Sequence, residues 1–255
     1  MNYISDNLII KNNKSFYCDL EDKLIKINTT NWHKYFYDYG YIKLDYGWKK
    51  RLKEYNKKNS CFGLLECGSD GDCLFHVLAE AFNNNLIINN QIPKYDVQYF
   101  RNLISEEIND NNFDTILTSY KLEKENDEFN GLWDPFKINT KEELKKEIQT
   151  CGDNFWGDHI LIQLLQDKLN LNVILLNTNI IDYNNTNNNI YRIQPIAARD
   201  ISHYDNHIII NYEDSVHFQL IGYFDGNLMK TLFTKAELPQ ILLDVYFEDT
   251  YTILE

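Results

Sequence analysis

Between residues 61 and 82 the chain switches its local pattern from strand to turn to helix, and this switch constrains its fold more than any other feature. Cys61-Phe62-Gly63-Leu64-Leu65-Glu66 is short, mostly apolar and bounded, which predicts a buried strand. Gly68-Ser69-Asp70-Gly71-Asp72 combines glycine, serine and aspartate, the composition of a tight turn. From Cys73 onward Leu74, Val77, Leu78 and Ala81 recur at helical spacing through Phe82. A buried strand therefore runs into a turn that opens a helix, and a cysteine occupies the start of that helix.

The rest of the chain supplies elements to surround this unit. Residues 23–27 alternate as a short strand does, and residues 48–55 read as a helix end. Residues 97–108 have helical periodicity, and Thr140 or Asn139 is placed to cap a helix that carries Leu144 and Ile148. Trp156-Gly157-Asp158 precedes an amphipathic helix over residues 159–169 that ends at Asn170, and the apolar residues 171–176 then predict a strand. Residues 208–212 and 216–224 flank a turn at Glu213-Asp214-Ser215, the pattern of a β-hairpin. The expected class is α+β (mixed α/β), a small central sheet with helices packed around it. Only 10 Gly and 4 Pro punctuate the chain and no stretch rich in Gly, Pro or Ser divides it, so one enlarged domain is expected at 59–255, with 1–58 an extension packed on it. The asparagine clusters at 83–85, 111–112, 184–185 and 187–189 read as solvated turns and loop insertions.

Composition narrows the partners. With 38 acidic against 25 basic residues the formal charge is −13, which argues against nucleic acid, because phosphate binding needs clustered Lys and Arg. No run approaches the roughly 18 apolar residues of a membrane span, and the opening Met1-Asn2-Tyr3-Ile4-Ser5-Asp6 lacks the basic-then-apolar order of a secretory signal. Five cysteines form an odd set without a short disulfide framework, so free thiols in a reducing, cytoplasmic compartment are expected. A monomer with no cofactor and no metal is the matching expectation. His203 and His207 stand four apart but lack the helical surroundings and the Glu of a zinc-binding helix, and Cys61, Cys67 and Cys73 fall six apart, outside the usual zinc spacing.

A cysteine at a helix start is chemically special, because unpaired backbone N–H groups and the helix dipole favour the thiolate. The preceding Asp70-Gly71-Asp72 can aim backbone N–H groups at the oxygen of an attacked carbonyl, since glycine permits conformations that a side chain forbids. Thiol catalysis also needs an imidazole to take the thiol proton and return it to a leaving amine. Among six histidines, His217 opens the second hairpin strand, where a rigid backbone holds its ring. The bland readings are an ordinary buried cysteine at a helix start and a histidine at an exposed hairpin mouth. His203-Tyr204-Asp205 is a rival, with a carboxylate two residues from the ring, but a polar break follows it and not a strand. Trp156 reads as a core aromatic, or alternatively as the wall of a channel leading to Cys73.

Gly68-Ser69-Asp70-Gly71-Asp72-Cys73-Leu74-Phe75-His76 resembles the Asp-Gly-x-Cys-Leu-Phe signature of the ovarian tumour (OTU) domain family of cysteine deubiquitinases. Trp156-Gly157-Asp158, with the helix and strand after it, resembles the family's Trp-Gly segment, and the 208–220 hairpin resembles its histidine hairpin. These blocks cover roughly residues 61–224 in the family's order. The resemblance implies a papain-like protease domain that cleaves the isopeptide bond after the terminal glycine of ubiquitin. It makes Cys73 the nucleophile, His217 the general base and acid, and the loop from Asp70 to Cys73 the oxyanion hole. Many relatives place Asp or Asn two residues after the histidine; here that position is Gln219, whose amide oxygen is the leading candidate to orient the ring, while an acid upstream of Cys73 is the alternative. Ubiquitin, ubiquitinated proteins and polyubiquitin are the implied partners, with a tail of two glycines preceded by arginines that an acidic chain attracts. Two other functions fit parts of the pattern: a catalytically silent ubiquitin-binding module of the same fold, and a glutaminase-like Cys–His hydrolase.

Overall fold

In the computed structural model, which describes residues 2–54, 59–68, 70–183, 186–195, 201–213 and 217–252, the unbroken apolar runs at 173–176 and 208–210 lie in a sheet that is covered on both faces. Side chains along a strand alternate between faces, so a strand that reads apolar at every position needs a packed layer on each side. Leu171, Val173, Ile208 and Ile210 join one core cluster, and Ile174, Leu176 and Ile209 join the other. Ile208, Ile209 and Ile210 are all fully buried, and each contributes about 1.5–3 kcal/mol by leaving water.

The chain opens with a four-stranded antiparallel meander, β1 (Asn2–Tyr3), β2 (Leu8–Lys11), β3 (Lys14–Cys18) and β4 (Leu24–Lys26). A short helix α1 (Trp32–Tyr35) leads to β5 (Tyr41–Lys43) and α2 (Tyr46–Arg51), and β6 (Phe62–Leu65) then runs into the turn that opens α3 (Cys73–Ile88). Four helices follow, α4 (Val97–Glu107), α5 (Phe113–Glu125), α6 (Lys141–Gln149) and α7 (His159–Leu169). The chain returns to strands with β7 (Leu171–Tyr183), β8 (Thr186–Pro195), β9 (Asn206–Glu213), β10 (His217–Phe224), β11 (Met229–Lys230) and β12 (Leu232–Thr234), before α8 (Gln240–Thr252).

The central sheet has the order β5-β6-β10-β9-β7-β8, with β11 on β10 and β12 on β9. Its pairs are antiparallel apart from β7 with β9. Helices α3, α4 and α7 supply one covering layer, through Leu74, Val77, Phe100, Ile104, Leu161 and Leu165, while α2 and α8 supply the other through Trp48, Leu242 and Val245. The antiparallel register of β10 with β6, Leu220 opposite Leu65, brings the start of β10 beside the residues that follow β6. That register positions the site described below.

Local rules account for several boundaries. Thr140 caps α6 in a reciprocal box with Glu143, and the Asp158 carboxylate caps α7 by accepting from the Leu161 N–H at 2.9 Å. Asn170 ends α7 in the left-handed conformation at φ 49°, which Asn tolerates better than most residues. Other expectations need correction. Asn83–Asn85 form no turn: α3 runs through them to Ile88, because Asn84 is buried and donates to the Met229 carbonyl at 2.9 Å and to Thr231 Oγ1 at 3.0 Å. Residues 187–189 are not a loop insertion; they pair with β7 in the long β7–β8 hairpin. The boundary expected after residue 58 runs between paired strands, since β5 joins β6 with Tyr41 opposite Leu65. Asn184-Asn185 and the hairpin turn at Asp214-Ser215 lie outside the described residues. Among the described residues no helix is long and apolar enough to cross a membrane.

Candidate active site

The nucleophile side is built from the turn after β6. Asp70 and Gly71 take successive left-handed conformations, φ 66° and 74°, and Asp72 returns to helical backbone so that Cys73 begins α3. Glycine is required at 71 on a second ground: a Cβ there meets the Gly152 carbonyl oxygen at 2.6 Å and Trp156 Cδ1 at 2.8 Å. Asp70 is exposed, whereas Cys73 is only 4% exposed. Burial pushes the Cys73 thiol above its ordinary value; the backbone N–H groups of Phe218, Leu74 and Cys73 pull it back, and the charge of Glu66 raises it further.

Behind this turn lies an arginine that no pattern in the sequence singles out. Arg101 of α4 is fully buried and serves as a hub for backbone and side-chain acceptors. Its Nε donates to Asp72 Oδ1 at 2.6 Å, Nη1 to the Ile148 carbonyl at 2.8 Å, and Nη2 to the Phe155 carbonyl at 2.8 Å and the Gly71 carbonyl at 3.4 Å. The face of the guanidinium covers the Phe75 ring at 4.1 Å. The second Asp72 oxygen accepts from the Gly152 N–H at 2.7 Å. One buried ion pair thus ties together the nucleophile turn, the end of α6 and the 152–157 segment. On α4 Arg101 shares the inward face with Phe100 and Ile104, a place where periodicity alone leads one to expect an apolar residue.

The histidine side comes from the sheet. His217 is the first residue of β10, and its Nε2 stands 2.5 Å from Oε1 of Glu66, the residue just after β6. A carboxylate only accepts, so Nε2 carries the ring proton and Nδ1 carries the lone pair. The next residue, Phe218, directs its backbone N–H at the Cys73 thiol, so nucleophile and imidazole belong to one site. Gln219 does not take the expected place against the ring. Its Nε2 donates to Glu66 Oε2 at 2.7 Å and its Oε1 accepts from Asn211 Nδ2 at 2.7 Å. The chain Asn211–Gln219–Glu66–His217 therefore has Glu66 at the imidazole and the amide one step behind. The physical reason is occupancy: both ends of the Gln219 amide are taken, by Asn211 and Glu66, and the other Glu66 oxygen meets the ring. The open alternative of an acid upstream of Cys73 matches Glu66.

Two other sequence candidates find different surroundings. Trp156 is half-buried and not core; its Nε1 donates to the Asp153 carbonyl at 3.0 Å while its ring edge flanks Gly71. The core aromatic of this segment is its neighbour Phe155, fully buried and stacked on Trp133 with centroids 4.9 Å apart. Gly157 completes the block: its N–H reaches the Gly71 carbonyl at 3.4 Å, and a Cβ there would stand 2.6 Å from Leu74 Cβ. His203 is exposed and packs edge-on against Tyr204, and His207 is buried with Nε2 at 2.8 Å from the Ile201 carbonyl. Among the described residues no group of three potential metal ligands occurs.

No protein-family model matches the chain, and no curated protein matches it. Solved structures do resemble it. An OTU domain in complex with ubiquitin is 17% identical, over 75% of this chain and 86% of that one, with a TM-score of 0.44. An OTU deubiquitinase from Wolbachia pipientis wMel bound to ubiquitin is 14% identical, over 63% of this chain and 94% of that one, with a TM-score of 0.42. The viral OTU domain protease from Taggert virus is 11% identical, over 67% of this chain and 91% of that one, with a TM-score of 0.35. The solved structures that this α+β chain resembles are thus OTU domains, the family its sequence blocks resemble.

Proposed function

We propose that this protein is a cysteine deubiquitinase that cleaves the isopeptide bond between the terminal glycine of ubiquitin and a lysine of another chain. Nδ1 of His217 takes the Cys73 proton as the sulfur attacks the glycine carbonyl, and the turn at 70–73 receives the resulting oxyanion on backbone N–H groups. The tetrahedral species collapses with loss of the lysine amine, which leaves with the proton from His217. Water, deprotonated by the same ring, then hydrolyses the thioester and frees Cys73. Glu66 holds the tautomer that exposes the Nδ1 lone pair and steadies the imidazolium in between. Trp156 beside Gly71 forms a wall for the slender ubiquitin tail. The five free cysteines suit a reducing, cytoplasmic setting.

One observation carries this reading: His217 meets Glu66 at 2.5 Å while the N–H of its neighbour Phe218 acts on the Cys73 thiol, so the start of β10 meets the 66–73 segment at the nucleophile. Ubiquitin bearing an electrophile at its C-terminus tests it. The wild-type protein is expected to form a covalent adduct and the Cys73→Ala variant none; an adduct that survives the substitution rejects Cys73 as nucleophile.

A second reading, a silent ubiquitin-binding module, is favoured by the burial that leaves Cys73 only 4% exposed and pushes its thiol above the ordinary value. Binding of ubiquitin by the reduced protein, without an adduct and without cleavage of any di-ubiquitin linkage, selects it.

A further inference from the structure

The peptide between Gly71 and Asp72 is oriented from inside the protein. A trans peptide points its C=O and its N–H in opposite directions. The Gly71 carbonyl is held by Arg101 Nη2 and by the Gly157 N–H, each at 3.4 Å, so the Asp72 N–H points away from the buried guanidinium. The Asp72 carboxylate fixes the other half of this unit, with Oδ1 on Arg101 Nε at 2.6 Å and Oδ2 on the Gly152 N–H at 2.7 Å. A flip of this peptide would rotate ψ of Gly71, which glycine tolerates, together with φ of Asp72, and these anchors oppose it. A flipped peptide would present a carbonyl where an N–H is needed. Arg101 cannot drift: it is fully buried, with the Ile148 and Phe155 carbonyls holding it in plane and the Phe75 ring covering its face.

We propose that Arg101 is a positioning residue of the oxyanion hole: it keeps the Gly71–Asp72 peptide turned so that the Asp72 N–H meets the oxygen of a carbonyl attacked by Cys73. This deepens the reading of Cys73 as an acylating nucleophile and rests on it. Lysine does not replace arginine here, since one ammonium lacks the planar fork that reaches Asp72, Gly71 and two further carbonyls together.

Two reactions of the same sulfur separate this role from general support of the fold. Acylation by p-nitrophenyl acetate passes through a tetrahedral oxyanion: the S–C bond forms, the carbonyl oxygen takes the charge, and p-nitrophenolate leaves as the carbonyl re-forms. Alkylation by iodoacetamide is a displacement at a saturated carbon, in which the S–C bond forms as the C–I bond breaks and iodide departs, with no oxyanion on the attacked carbon. Both rates are measured for wild type, Arg101→Lys and Asp72→Asn, with the Cys73→Ala rate subtracted. Removal of one oxyanion donor costs about 10²–10³-fold in other hydrolases, so Arg101→Lys is expected to slow acylation by about 10–100-fold and to leave alkylation within about 2-fold. Asp72→Asn keeps an acceptor for Gly152 but loses the charge-assisted bond, and a smaller loss confined to acylation is expected. It decides the matter if circular dichroism shows that Arg101→Lys is unfolded. Equal losses in both reactions, unchanged acylation in a folded variant, or wild-type acylation no faster than Cys73→Ala overturns the proposal. Neither reagent involves ubiquitin, so wild type that acylates on Cys73 without cleaving ubiquitin sinks the proposed substrate alone.

Discussion

Arg101 and Asp72, behind the nucleophile turn, have side chains 0% and 13% exposed, whereas His217 and Glu66, on the sheet side, keep 24% and 54% of theirs in solvent. Both are ion pairs or potential ion pairs with one partner next to the reacting groups, yet water reaches the second far more freely. In low dielectric the first pair is poorly screened and holds its geometry across salt, provided that every donor is satisfied, as the acceptors around Arg101 ensure. The second pair is screened by the solvent around it. The difference matches the chemistry each side is proposed to perform. Backbone N–H groups that receive an oxyanion must not move, and a buried arginine keeps them still. An imidazole that takes and returns a proton in each half-reaction works best near water, with a carboxylate to fix its tautomer.

The largest expected effect falls on the open pair. In Glu66→Gln one of two acceptor oxygens becomes a donor, so an N–H must face either the His217 Nε2–H or the Gln219 amide. We expect kcat for a C-terminal ubiquitin amide to fall by about 10²–10³-fold, less than the roughly 10⁴-fold of a buried triad aspartate because solvent reaches Glu66, with KM within about threefold. Undiminished kcat breaks the comparison, since the open pair would then have no role in proton transfer. Gln219→Ala sharpens it. The carboxylate loses one of its two partners but keeps the ring, and a kcat loss of about 3–10-fold is expected from one lost hydrogen bond. A loss as large as that of Glu66→Gln would place Gln219 on the ring itself.

The smallest effect lies outside both pairs, at the half-buried Glu123 of α5. Burial, and then the charge of Asp158, push the Glu123 carboxyl above the ordinary carboxylate range. A raised folded-state value means that the native chain favours the protonated form; that contribution is complete below the unfolded value of about 4.3 and is lost as pH rises through the folded one. At neutral pH the chain therefore carries a repulsion that a glutamine lacks. Glu123→Gln is expected to raise Tm by about 1–2 °C at pH 7 and to leave it unchanged near pH 4, read by thermal melts at both values. A gain that persists at pH 4 would trace the effect to packing.

Much of the architecture was legible where a local rule operates within one element. The strand-turn-helix unit at β6 and α3, the cap at Thr140, and the stop at Asn170 depend on side chains within four residues of the backbone they serve. The asparagine-rich pieces were misread for the opposite reason. Asn84 stays helical because of partners at 229 and 231, and residues 187–189 join a strand because β7 offers a ladder. Composition favours turns in both places, and tertiary hydrogen bonds override it. Of the two readings of Trp156, core aromatic or channel wall, the core one fails, because its neighbour Phe155 fills that space.

The candidate site divides along the same line. Cys73 at a helix start behind a glycine turn, and His217 at a strand start, are local facts, and the sequence by itself determined both, since backbone conformation and spacing require only neighbours. Glu66 reaches His217 across 151 residues of chain, and Arg101 reaches Asp72 across 29. Those partnerships depend on which strand lies beside which and on the face a helix turns inward. Only the tertiary structure decided them, because a charged side chain chooses its partner by distance and dielectric, and neither exists until the chain has folded.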